Sequence, residues 1–285
     1  EASYQQVSGE LKDARENIVL TKGTPRIKKK IKGRIFSLVQ GASGNKNYFH
    51  WLFDMLPKIK LCSEHYLLKE IDFFYLPSLQ DFQKQTLSIF NIKEDKILDS
   101  NLYRHVQASE LIVVDHPWYH AGFILDQVEF LPSWIIHWLK DICLKYAKKF
   151  DCNDKIYIDR TESKFNHCQI QNDDEIFNFL HEKGFSKYKV GELSFFEQIY
   201  LFNNAKIVIG AHGAAFTNLV FCKPNTKIIE IRPPTQINNN YKRISQIGNL
   251  NYKLIKTKEL EENQKKLGDI YLPTKELEHC IKSFA

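Results

Sequence analysis

Lys206-Ile207-Val208-Ile209-Gly210-Ala211-His212-Gly213-Ala214-Ala215-Phe216-Thr217-Asn218 is the stretch whose reading decides the fold. A run of β-branched apolar residues stops at a glycine, passes through His-Gly and continues into small residues that begin a helix. A buried strand feeding a helix in this way is the repeating unit of a parallel α/β sheet. The junction is also an anion site, because first-turn N–H groups lack intrahelical partners and lie at the positive end of the helix dipole. Gly210, Gly213 and Ala214 leave room for a phosphate against the backbone. A second apolar strand follows, Ile228-Ile229-Glu230-Ile231-Arg232-Pro233, ending in a carboxylate and a guanidinium. Phosphate cradle, strand and acidic residue in that order predict a bound nucleotide. Glu230 would hold its ribose, or else pair with Arg232 at the strand end.

Working outward, the pattern predicts strands over 155–160, 188–190, 207–209 and 227–231, with helices over 173–183, 194–203 and 214–221 between them. Ser194 followed by Glu197 reads as a capping box, and Gly184 suits the position just past a helix end. Upstream, 71–77 and 110–114 read as strands and 81–90 as an amphipathic helix. Helical spacing over 48–61 contains Pro57, which should break or kink it. A longer helix is expected over 133–150. Regular alternation of this kind predicts an α/β protein with right-handed parallel crossovers. The expected domains are an acceptor-side domain over 1–130, a linker helix over 131–153 and a nucleotide-binding domain over 154–285, whose last helix is a candidate to pack back on the first domain.

The chain has 285 residues, a formal charge of +6 and six scattered cysteines. No CxxC pair occurs, which argues against a zinc ribbon or a disulfide scaffold and for reduced thiols. No run of eighteen apolar residues is present. The first residue is Glu1, so a fragment of a longer chain is an expectation, with a cytoplasmic enzyme, peripheral at the inner membrane, preferred to a truncated secretory one. Lys22, Arg26, Lys28, Lys29, Lys30, Lys32 and Arg34 form a basic run over 22–34. It reads as a solvated β-ribbon or loop face, or as a patch for an acidic glycan, a lipid phosphate or a membrane surface. Nucleic acid is not expected, because no recognition-helix or stacking-aromatic pattern accompanies the charge.

Each chemical motif has a plainer alternative. The 210–215 segment has G-x-x-G spacing rather than GxGxxG, and no acidic residue stands where NAD would need it, so a dinucleotide oxidoreductase is disfavoured. A glycine turn for close strand–helix packing is the structural alternative. His212 is either a core histidine or a donor to a phosphate or leaving group. Arg160 closes the 155–160 strand at the carboxyl edge, where its planar fork would clamp a diphosphate. In Asn47-Tyr48-Phe49-His50-Trp51-Leu52-Phe53-Asp54, His50 and Asp54 share one helical face and form either a base with its orienter or a structural pair.

Three blocks over about 45–235 resemble glycosyltransferase family 61. They are Asn47-x-x-His50-x-x-x-Asp54-x-x-Pro57; Tyr157-Ile158-Asp159-Arg160 with Asn172-Asp173-Asp174-Glu175 and Gly184-Phe185; and Leu193-Ser194-Phe195-Phe196-Glu197-Gln198 through Gly210-Ala211-His212-Gly213-Ala214 and Thr217-Asn218 to Glu230. The resemblance implies a GT-B fold, two Rossmann-like domains with parallel sheets facing a central cleft. It also implies inverting transfer from a UDP-sugar without a metal ion. No Asp-x-Asp pair suited to a metal–diphosphate bridge is present, so no cofactor is expected. Two departures stand out: Asn166-His167-Cys168-Gln169 where the family often has a further arginine, and Pro57-Lys58 in place of the frequent Pro-Arg. The expected enzyme moves a hexosyl, pentosyl or N-acetylhexosaminyl group to a glycan or glycolipid, in capsule or lipopolysaccharide synthesis. Asp54 is the preferred base with His50 its partner, the reverse being nearly as acceptable. Arg160, Gly210, His212, Gly213, Ala214, Asn218 and Glu230 are the expected donor-binding residues, and Asn47 and Arg232 are further candidate site residues. The alternative function is a non-catalytic nucleotide- or glycan-binding module of a polysaccharide assembly machine.

Overall fold

The computed structural model describes residues 28–39, 47–118, 130–161, 168–236, 238–258 and 268–284. The chain divides into two compact units, Glu1–Ile135 and Ile136–Ala285. Each is built on a wholly parallel sheet, as the alternation of elements predicts.

The first unit carries β1 (Lys29–Ser37), β2 (Phe73–Leu76), β3 (Ile97–Asp99) and β4 (Val106–Val113) in the order β3-β2-β1-β4. Most of the basic run forms the first half of β1, paired with β4 alone, and β2 joins only from Ile35 onward. Lys29, Lys30 and Lys32 are exposed at its start, whereas Ile35 and Phe36 are buried. Arg34 is tied down by Glu110 of β4 at 2.7 Å and Glu70 at 3.5 Å. Lys22, Arg26 and the turn expected at 41–45 lie outside the described residues.

Pro57 does not break the helix. The chain runs through α1 (Tyr48–His50), a π-helical turn (Trp51–Met55) and α2 (Leu56–Ser63). A proline offers no N–H and its ring crowds the carbonyl four residues back; widening the preceding turn removes that clash, and Leu56 N–H reaches the Trp51 carbonyl instead. Trp51, Leu52, Phe53 and Met55 of that turn are buried, and Trp51 Nε1 donates to Thr86 of α3 (Asp81–Ser88) at 2.8 Å. The apolar stripe of α4 (Ser133–Cys143) ends sooner than expected, in a 3₁₀ turn over Leu144–Tyr146.

The second unit carries β5 (Lys155–Ile158), β6 (Ser186–Tyr188), β7 (Ile207–Ala211), β8 (Lys227–Arg232) and β9 (Asn251–Lys256) in the order β6-β5-β7-β8-β9. Its helices are α5 (Asp173–Glu182), α6 (Phe195–Asn204), α7 (Asn240–Ile247) and α8 (Thr274–Lys282). The expected capping box starts α6: Ser194 Oγ accepts from Glu197 N–H at 3.3 Å, and Glu197 Oε2 accepts from Ser194 N–H at 3.0 Å. The 214–221 segment is helical but 3₁₀ rather than α. Phe216, Thr217, Asn218, Leu219, Val220 and Phe221 are all buried there, and Phe, Thr, Asn and Val favour an α-helix weakly.

Strand order fixes where each unit can hold a ligand. In open α/β sheets the crevice opens outside the carboxyl ends of the strands, where successive connections turn to opposite sides. That switch lies between β5 and β7 in the second unit and between β1 and β4 in the first.

Candidate active site

At the β5–β7 switch, Ile158 pairs with Gly210 in the ladder, so Arg160 and the His212-Gly213 turn leave neighbouring strands together. Gly210 is a packing position: a Cβ there would lie 2.9 Å from Ile158 Cβ and 3.3 Å from a Phe216 ring carbon. Gly213 makes room for Arg160 instead. A Cβ on it would fall 1.3 Å from Arg160 Nη1 and 2.5 Å from Cζ. The guanidinium thus lies directly on the Gly213 backbone, at the start of the 3₁₀ segment that Ala214 begins.

His212 is buried and its Nδ1 faces Glu230 Oε1 at 2.5 Å. The second Glu230 oxygen accepts from Tyr252 O–H. Glu230 is 1% exposed, with both oxygens engaged. A ribose contact of the kind expected from the sequence would have to displace one of these partners. The Tyr252 hydroxyl is pushed well above its ordinary range, first by burial and then by the Glu230 carboxylate. Tyr241 is pushed the same way, and its ring lies 5.0 Å from that of His212. The alternative pairing of Glu230 with Arg232 does not form, since Arg232 Nη1 instead donates to the Asn238 carbonyl. Asn218 is fully buried and its amide donates to Gln198 Oε1 of α6 at 2.9 Å, tying the 3₁₀ segment to that helix.

The first unit holds a second constellation at its own switch. Asn47 caps α1, its Oδ1 accepting from Phe49 N–H at 2.9 Å and His50 N–H at 3.4 Å, which fixes where His50 enters the helix. His50 Nδ1 lies 2.7 Å from Asp54 Oδ2. His50 is 28% exposed through its side chain and Asp54 only 1%. The segment after β4 adds two residues that sequence reading missed. Trp118 Nε1 donates to Asp54 Oδ1 at 2.9 Å, and His116 Nε2 stands 3.5 Å from Asp54 Oδ2. Burial alone would push the Asp54 carboxyl up; the facing His116 and His50 rings overcome this and hold it below its ordinary value. Lys58, one helical turn on, is itself buried, which lowers its ammonium group despite Asp54 and Asp115. The signal for His116 was positional: it follows the carboxyl end of β4, at a switch that only the strand order reveals.

Comparison with known proteins joins these two constellations to one family. The sequence model of the family described as Glycosyltransferase 61 matches residues 48–229, more than half of the chain. The chain belongs to glycosyltransferase family 61. The match spans His50, Asp54, Arg160, His212 and Gly213 and stops one residue short of Glu230. No curated protein matches. Among solved structures, the chain is similar to a probable 2-hydroxyacid dehydrogenase from Rhizobium etli CFN 42 in complex with NADP, HEPES and L(+)-tartaric acid, at 10% identity and a TM-score of 0.22, covering 85% of this chain and 88% of that one. No helix among the described residues is long and apolar enough to cross a membrane.

Proposed function

We propose that this family 61 member is an inverting glycosyltransferase that takes its sugar from a UDP-linked donor, needs no divalent cation, and delivers it to a glycan or glycolipid hydroxyl. The transferase class is supported by the family. The observation that carries the site assignment is the Arg160 guanidinium lying on the Gly213 backbone at the β5–β7 switch. There a leaving diphosphate would meet a planar fork of donors together with the N–H groups of Gly213 and Ala214, and this fixed positive field would do the work of a cation. His212, oriented by Glu230, would donate to the same group.

On the first unit we assign His50 as the base and Asp54 as its orienter, the reverse of the order preferred from sequence. Asp54 is enclosed by His50, His116 and Trp118, whereas His50 keeps an exposed face. The acceptor hydroxyl would pass its proton to His50 Nε2 as its oxygen attacks the anomeric carbon from the face opposite the diphosphate. The new C–O bond forms as the bond from the anomeric carbon to the phosphate oxygen breaks, and that electron pair leaves with UDP. The GT-B division of labour is part of the proposal: donor on the second unit, acceptor on the first. The exposed Lys29, Lys30 and Lys32 suit an acidic acceptor or peripheral contact with a membrane surface. The Lys-, Asn- and Ile-rich composition supports a bacterial setting, and we assign capsule or lipopolysaccharide synthesis in the cytoplasm.

The test is thermal stabilisation by UDP, GDP, CMP, ADP and NAD, each with and without EDTA. A ligand at a hundredfold excess over its dissociation constant adds roughly 2.7 kcal/mol to the state that binds it. A shift with UDP alone, unchanged by EDTA, is expected. A shift with NAD, or one abolished by EDTA, would overturn the reading.

A further inference from the structure

We infer that His116 is a positioning residue: acting through Asp54, it fixes His50 in the tautomer that carries its proton on Nδ1 and presents Nε2 as the proton-accepting atom. This rests on the reading of His50 as the base, but the ring states it predicts can be measured without any transfer reaction.

The geometry assigns the donors in turn. Trp118 N–H approaches His116 Nδ1 at 3.4 Å, which makes that nitrogen the acceptor and leaves the His116 proton on Nε2. Nε2 faces Asp54 Oδ2 at 3.5 Å, the oxygen that His50 Nδ1 meets at 2.7 Å. Trp118 Nε1–H takes the other oxygen at 2.9 Å. His116 and Trp118 come from one short segment and meet edge to face at 5.0 Å, so each ring holds the other in place. Phe49 packs edge-on against His50, at 5.5 Å. Among the described residues, Lys58 and Asp115 add further charge beside the cluster.

A carboxylate with no solvent access is tolerated only when donors surround it. His50 and Trp118 hydrogen-bond Asp54 and His116 Nε2 stands 3.5 Å from it, and burial would otherwise drive it towards its protonated form. The distinction decides what His50 can do. An ionised Asp54 only accepts, so His50 must donate through Nδ1 and its Nε2 keeps a lone pair. A protonated Asp54 would instead donate to Nδ1, move the ring proton to Nε2 and remove the atom that receives the acceptor's proton. His116 therefore acts on the base without touching substrate.

The experiment is long-range 1H–15N correlation of the histidine rings, together with 13C titration of the Asp54 carboxyl, in the whole chain and in His116→Phe and His116→Gln. The parent chain is expected to show His50 protonated on Nδ1 and His116 on Nε2. His116→Phe should move His50 towards the Nε2–H form and shift the Asp54 titration to higher pH. His116→Gln, whose amide can donate to Asp54, should restore both. With the acceptor in hand, kcat of His116→Phe should fall about tenfold or more while KM for the donor stays unchanged. If Phe is not accommodated, His116→Ala gives the same two spectroscopic readings. Identical His50 and Asp54 signals in the parent and in His116→Phe or His116→Ala would overturn the inference. Full transfer by His50→Ala would instead overturn the base role on which its catalytic meaning rests, with the ring states unaffected.

Discussion

Replacing Gly213 by alanine should abolish most donor binding without unfolding the protein, and the structure says why. The new methyl would sit 1.3 Å from Arg160 Nη1 and 2.5 Å from Cζ, distances no pair of atoms tolerates, so the guanidinium must leave its place. The backbone itself is not strained, because Gly213 has an extended φ of 168° that alanine adopts freely. What moves is the far end of a flexible side chain, so the stability cost should stay within about 1 kcal/mol. Hydrogen bonds to charged groups contribute about 1.5–3 kcal/mol, so losing the Arg160 clamp should weaken UDP about 10- to 150-fold. Arg160→Ala should show the same loss. The decisive feature is their combination, since two substitutions that remove one interaction do not add. Calorimetric titration with UDP of both single variants and the double variant completes the cycle. A Gly213→Ala protein that binds UDP within twofold of the parent would refute the reasoning. So would a double variant whose loss is the full sum of the single ones.

The remaining predictions concern the other charged groups. The Asp54 carboxyl is held below its ordinary value, so its contribution to stability is present above about pH 4, the unfolded-chain range, and is lost as pH falls through the lower folded value. Urea midpoints measured from pH 5 down to pH 2 should therefore fall more steeply for the parent than for Asp54→Asn; parallel curves would contradict this. If Glu230 orients His212 rather than touching ribose, Glu230→Gln should leave the affinity ratio of UDP to 2′-deoxy-UDP unchanged, whereas a ribose contact predicts that the ratio collapses. Ser194→Ala removes the cap of α6 and should cost about 1 kcal/mol of unfolding free energy in denaturant. The same variant should return the Glu197 carboxyl from about 2 part of the way towards its ordinary range, the Lys148 hydrogen bond being retained.

The parallel α/β class, the capping box at Ser194 and the His212-Gly213 turn could be read from the chain because each depends on local chemistry: β-branched runs, an Oγ three residues before a carboxylate, and small residues after a strand. Pro57 distorts the helix without ending it, since a π turn before it accommodates the ring and the missing N–H. The basic run could be read as solvent-facing, as Lys29, Lys30 and Lys32 are, but its charge hid that the same strand continues through Ile35 and Phe36 into the core. Sequence position also could not show that Glu230 is taken by His212 and Tyr252, or that His116 and Trp118 close over Asp54. Those are contacts between residues 18 to 64 positions apart, made only once the strand order is set.

The most direct test of the central claim is mass-spectrometric measurement of UDP released from a pool of UDP-sugars, with mixed alkyl glycosides as acceptors and EDTA present, for the parent and His50→Ala. The account predicts steady release by the parent and a loss of about 10²- to 10⁴-fold in His50→Ala, which still binds UDP. Equal release by both proteins, or binding of UDP with no release by the parent, would contradict it.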